Sequence, residues 1–276
     1  MSEDSARASH DTINPENLLK FMVTGWASPP AAPASPVDGL ANFARRRAAL
    51  SAAFPGELLI VPTGHEKTRA NDTAYRFRPG TDFYYLTGNL EPDNVLVIDG
   101  DAATLYCEPN PGKTDATFYT DRNKGELWVG ARLGLEATAQ RYGVATRALA
   151  ELDGALTAAI AARPYRFLRE IDPLLDAVIP KDEDRDTAFA AELSEMRLIK
   201  DDLEIRELRR AIAATASAFD DVVRALPDSP TERHVEGVFG MRAHRRQRRR
   251  LRHDRGERRQ RVHAALDAQR PHDGPR

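Results

Sequence analysis

The chain has 276 residues, of which 41% are hydrophobic and 30% charged, and its formal net charge is −2. That is enough apolar material for one large domain or two ordinary ones, and it excludes a chain disordered throughout. The near-neutral total gives no general attraction to nucleic acid or membrane, and a single cysteine, Cys107, excludes an internal disulfide. Cys107 lies in an apolar run and is expected to be a buried, inert thiol. The start, Met1-Ser2-Glu3-Asp4, has neither the basic opening nor the apolar run of a signal peptide, and no stretch has the length to cross a bilayer. A cytoplasmic protein is expected.

Residues 1–40 read as a flexible leader. Within it, Asn17 to Trp26 can form a short amphipathic helix with Leu18, Leu19, Met22 and Trp26 on roughly one face. Four prolines between Ser28 and Pro36 read as a linker. Ala41–Phe54 is rich in helix formers, places Phe43, Leu50 and Phe54 on one face, and is broken by Pro55-Gly56. Glu57–Pro62 holds a short apolar run between breakers, which predicts a buried strand. Asp82–Thr87 is aromatic-rich, and Phe83, Tyr84 and Tyr85 are read as alternating along a strand. Asn94–Ile98 and Thr104–Cys107 are strands joined by the turn Asp99-Gly100-Asp101. Gly134–Tyr142, Thr146–Ala162 and Ile171–Ile179 are predicted helical, and Tyr165–Leu168 a strand.

This order predicts an α/β domain with a mixed sheet over residues 41–180. Residues 181–241 follow as a linker and helices. In the longest of these, Ile205, Leu208, Ile212, Phe219, Val222 and Leu226 keep three- and four-residue spacings or their sum, and Pro227 stops it. Thr231 opens another helix that runs to about Met241.

The residues by themselves name no reaction. There is no Gly-rich phosphate loop, no His-Glu-x-x-His, no Cys-x-x-Cys and no nucleophile elbow, and four of the seven histidines lie beyond Met241. No catalytic and no metal-binding residue is assigned.

Three segments carry a resemblance. Residues 75–92 read Tyr-Arg-Phe-Arg-Pro-Gly-Thr-Asp-Phe-Tyr-Tyr-Leu-Thr-Gly-Asn-Leu-Glu-Pro, residues 121–130 end in Trp-Val-Gly, and residues 195–211 open with Glu-Met-Arg-Leu-Ile-Lys. In this order and separation they resemble the aminopeptidase P family of the creatinase/prolidase type. The resemblance implies a mixed-sheet N-terminal domain followed by the first helices of a pita-bread metallopeptidase domain. It implies release of an N-terminal residue preceding proline from proline-containing peptides, and a homo-oligomer built through the N-terminal domain. It also implies two metal ions, usually manganese, held by two Asp, one His and two Glu. Those ligands lie downstream of the opening helix in the family, so no manganese is expected on this chain and no activity from it.

Arg76, Phe83, Tyr84 and Trp128 are carried as candidates for the substrate mouth or a subunit contact. Each also has a plain structural reading: the aromatic cluster as core or subunit contact, Arg76 and Arg78 as surface or ion-pair residues, Trp128 as packing. The Glu/Arg-rich stretch 195–210 can equally be a salt-bridged connector helix.

Residues 242–276 are a different kind of sequence, with 13 arginines, no lysine and 4 acidic residues. Their net +9 leaves −11 on residues 1–241. Clustered arginine can neutralise phosphates, so nonspecific nucleic-acid binding is one reading. The other is a change of reading frame. Legal codons for 243–270, read from the second base of the His244 codon, spell Thr-Glu-Gly-Asn-Asp-Val-Gly-Tyr-Gly-Thr-Ile-Ala-Ala-Ser-Gly-Ala-Asn-Ala-Cys-Thr-Leu-His-Trp-Thr-Arg-Asn. That peptide resembles the segment the family carries next. The expectation is a single-base frameshift between about Gly240 and Arg245, a disordered tail, and helices over 195–241 whose apolar faces lack the sheet they would pack on. A free N-terminal domain acting as a non-catalytic binding module is the alternative.

Overall fold

The computed structural model describes residues 14–27, 34–70 and 73–241. The chain divides between Leu198 and Ile199 into two units. The strands are β1 (Leu58–Pro62), β2 (Thr68–Ala70), β3 (Thr73–Ala74), β4 (Val95–Asp99), β5 (Ala102–Cys107), β6 (Ala145–Ala148) and β7 (Tyr165–Phe167). The helices of the first unit are α1 (Glu16–Met22), α2 (Leu40–Ala53), α3 (Thr81–Thr87), α4 (Thr117–Thr120), α5 (Glu126–Val129), α6 (Leu135–Tyr142), α7 (Leu152–Ala162), α8 (Pro173–Val178) and α9 (Glu183–Met196).

Five strands form one mixed sheet in the order β6-β5-β4-β1-β7. The β1–β4 and β4–β5 pairs are antiparallel, while β1–β7 and β5–β6 are parallel. The central strands are buried on both faces, and the two-residue side-chain period sorts them into two cores. Leu59, Val61, Leu96, Ile98 and Leu105 meet Leu50 of α2, Phe83 and Leu86 of α3, and Phe189 and Leu193 of α9. Leu58, Ile60, Val95, Val97 and Tyr106 meet Leu152 and Leu156 of α7 and Ile179. Helices therefore cover both faces. Each of these large side chains contributes about 1.5–3 kcal/mol through burial. Cys107 is buried, and desolvation pushes its thiol up to about 11, as its apolar surroundings require.

Several sequence expectations need correction. The aromatic stretch is the helix α3. Phe83, Leu86 and Thr87 share its buried side, and Gly88 ends it at φ 69. A side chain at Gly88 would also meet the Phe43 ring 2.5 Å away, so glycine is required twice over. The stretch Thr146–Ala162 is divided: Ala145–Ala148 adds to the sheet beside β5, and α7 begins only at Leu152. The helix expected over Ile171–Ile179 is shortened to Pro173–Val178, because Asp172 caps it by accepting from Leu174 N and Leu175 N.

Residues 195–210 are not one helix. α9 stops at Met196, and α9 belongs to the first unit, with Phe189 and Leu193 fully buried in its core. The leader is partly built. The Met22 carbonyl accepts from Tyr119 OH (3.0 Å) and Trp26 Nε1 (2.6 Å), and Lys113 Nζ lies 4.1 Å from the Trp26 ring centroid. No residue of α1 is buried, so its apolar residues make no core face. The prolines at 29, 30 and 33 and the arginine-rich tail lie outside the described residues.

In the second unit, α10 (Asp202–Ala225) starts with a capping box. Asp201 Oδ1 accepts from Glu204 N, and Glu204 Oε2 accepts from Asp201 N. Residues 232–241 form a further helix, and Phe239 packs edge-on to Phe219 at 5.3 Å.

Candidate functional site

The segment 75–92 is held from below by two buried arginines on α2. Arg46 Nη1 donates to Tyr85 O (2.9 Å) and Arg47 Nη1 to Leu86 O (2.8 Å), so both neutralise carbonyls in the last turn of α3. Burial lowers the Arg47 pKa. The Arg46 guanidinium also lies 4.0 Å from the Tyr85 ring centroid. Beyond α3 the chain is tied by its own polar side chains. Thr87 Oγ1 accepts from Asn89 N, Asn89 Oδ1 accepts from Glu91 N, and Asn94 Nδ2 donates to the carbonyls of Glu91 and Pro92. At the start of α3, Asp82 pairs with Arg197 at 2.8 Å, and Tyr85 OH donates to Met196 O. Burial raises the Asp82 carboxyl, opposed by the Arg197 charge.

Between β1 and α3 the chain leaves the sheet as a hairpin of β2 and β3. Its base is closed by Gly80 N donating to Thr63 O (3.1 Å), and Tyr75 N donates to Lys67 O further out. Tyr75 (59% exposed) and Arg76 lie on the returning arm. At the base, His65 sits between Asp93 and Asp172. Its Nδ1 is 2.5 Å from Asp93 Oδ1, and its Nε2 is 3.1 Å from Asp172 Oδ2.

The four candidates therefore separate. Phe83 is fully buried, a core residue. Tyr84, its neighbour on α3, is half-buried and edge-on to Phe43. Arg76 is exposed on the excursion that leads into α3. Trp128 lies on a different element, α5, and is 53% exposed beside exposed Leu127 and Val129. Its indole Nε1 donates to Tyr119 O (2.8 Å), and Arg122 lies 5.2 Å from its ring centroid. Trp128 is thus a surface residue with a fixed orientation rather than packing. α5 is positioned by Glu126 Oε1, which accepts from Asn110 Nδ2 and Arg132 N, and by Gly125, where any Cβ would lie 2.5 Å from the Thr117 carbonyl oxygen.

Sequence reasoning missed His65 with its two carboxylates, and the roles of Arg46 and Arg47. The partners of His65 are 28 and 107 residues away, and only the β4-β1-β7 strand order brings them together. The described residues do not fit a two-metal centre. No three His, Cys, Asp or Glu side chains among them are arranged to hold an ion. The His65 carboxylates face opposite ring nitrogens instead of converging on one point.

Residues 43–167 match the family model described as the aminopeptidase P N-terminal domain. The chain is 41% identical over 236 residues to Xaa-Pro aminopeptidase 1 of Streptomyces coelicolor, covering 83% of this chain and 48% of the relative. It is 37% identical over 250 residues to Xaa-Pro aminopeptidase 2 of the same organism, covering 88% and 53%. A solved structure of Escherichia coli aminopeptidase P with the inhibitor Pro-Leu superposes with a TM-score of 0.64 at 27% identity, over 77% of this chain and 50% of that one. The chain spans about half the length of the curated relatives it matches.

Proposed function

The chain belongs to the aminopeptidase P family, whose N-terminal domain it carries at residues 43–167, and from that premise we propose that it serves the release of N-terminal residues preceding proline. In this reading residues 1–198 shape the substrate mouth and build the oligomer, and residues 199–241 open the metallopeptidase domain. Tyr75, Arg76 and Tyr84 are the mouth side, and Leu127, Trp128 and Val129 the subunit contact.

One observation carries the reading: α10 leaves Leu208, Ile212, Phe219 and Val223 exposed along its length, and Leu226 just after it is exposed too. A helix with such a face completes a domain only when further chain packs on it. The codons that 243–270 permit supply that chain in a shifted frame, and we place the frame break between about Gly240 and Arg245. The intact product is then a cytoplasmic dimanganese hydrolase. The metal ions would activate water and stabilise the oxyanion. None of the residues described here is assigned to them, so this chain's share of the work is assembly and shaping, without turnover of its own.

The test is to express the chain as given and a re-framed version, each with Mn²⁺, on a peptide beginning Xaa-Pro. Release of the first residue by the re-framed product alone, with co-elution of the two chains as mixed oligomers, is expected. Turnover by the chain as given removes the claim of inactivity. Two inert products remove the frame reading.

A further inference from the structure

The excursion between β1 and α3 is fastened at its base by one side chain. His65 follows β1, Asp93 precedes β4 and Asp172 follows β7, so the imidazole joins three segments at one end of these adjacent strands. Each carboxylate is itself fixed. Asp93 has φ 57, and its N–H donates to Gly64 O at 3.0 Å. Asp172 is buried, and its second oxygen accepts from Leu174 N and Leu175 N. Ile171 packs beside both ends of the excursion: a Cβ at Gly64 or Gly80 would lie in ordinary van der Waals contact with it.

Nδ1 is hydrogen-bonded to Asp93, whereas Nε2 faces Asp172 at 3.1 Å without hydrogen-bond alignment; a neutral ring, with one N–H, can serve only one side, and only the protonated ring, as a cation with two N–H groups, is held by both carboxylates at once. We propose that protonated His65 is a latch that fastens the base of the excursion between β1 and α3 to the neighbouring strand ends, and that loss of its proton frees one side and loosens the arm carrying Tyr75 and Arg76. The latch stands on this geometry. Its bearing on substrate entry rests on the reading of Tyr75 and Arg76 as mouth residues.

The charged groups that bear on the ring are Asp93 from the β4 side and Asp172 from the α8 side. Burial alone lowers the His65 pKa. The two carboxylates together outweigh it, and the pKa is raised above 6.5. A histidine raised on folding adds stability that is complete below its unfolded value and disappears as pH rises through the raised folded value. The latch is therefore closed in mild acid and opens toward alkaline pH.

Amide hydrogen exchange of residues 64–80 in the full chain, corrected for intrinsic rates between pH 6 and 9, tests this directly. In the wild type, protection is expected to fall severalfold across the His65 titration. In His65→Gln it should be low and flat at every pH, and in Asp172→Asn the step should shrink. A wild-type profile without a step, or a step that persists in folded His65→Gln, overturns the latch. If either variant fails to fold, the wild-type profile decides. Because the readout needs no substrate, it stands or falls separately from the peptidase reading.

Discussion

Residues 1–198 and residues 199–241 hold the same kinds of apolar side chain and treat them in opposite ways. In the first unit Leu59, Phe83, Phe167 and Phe189 are all fully buried between the sheet and its helices. In the second, Ile212 is 67% and Phe219 58% exposed, and the buried residues of α10 are Leu203 and Ala218. The apolar spacing along α10 is as regular as in any helix of the first unit. Periodicity shows that a face exists, and only the fold shows whether anything covers it.

The comparison breaks most easily at its two phenylalanines. Phe83→Ala should cost about 3–5 kcal/mol in urea unfolding, because it empties a sealed core position. Phe219→Ala should cost far less, about 0.5–1.5 kcal/mol, because it is 58% exposed and loses mainly its edge-on contact with Phe239. Equal losses would mean that α10 is as well packed as α3. A smaller effect, about 1–3 kcal/mol, is expected for Gly125→Ala, whose new methyl must push on the Thr117 and Asp121 carbonyl oxygens. Circular dichroism and thermal melts would show it together with loss of the Trp128 orientation. Asp201→Ala removes the cap of α10 and should cost about 1 kcal/mol, read as lost helical signal in the second unit and none in the first. The smallest effect is chemical. Cys107, buried with its thiol at about 11, should resist alkylation at pH 8 until denaturant unfolds the first unit. Rapid labelling of the native chain would contradict the burial of β5.

Much of the first unit is legible in the sequence. The β4–β5 hairpin, β1, β7, α2 and α6 follow from apolar runs, breakers and a turn with Gly100. What was not legible has physical causes. Three adjacent aromatics satisfy a strand pattern and a short helix equally well, and Gly88 with two arginines from α2 decided for the helix. Ala145–Ala148 has weak preferences of its own and becomes a strand because the edge of β5 is open to it. Among the site candidates, Arg76 and Trp128 lie on the surface, while Phe83 takes the core place of its plain structural reading, on a helix instead of a strand. The His65 cluster carries no local signal, because its three members come from separate loops.

The most direct test of the two-region account is limited proteolysis of the full chain, with fragments identified by mass. The account predicts first cuts C-terminal to Leu198 and a resistant core holding the sheet and α9. Survival of 199–241 while the sheet unit is cut would contradict it.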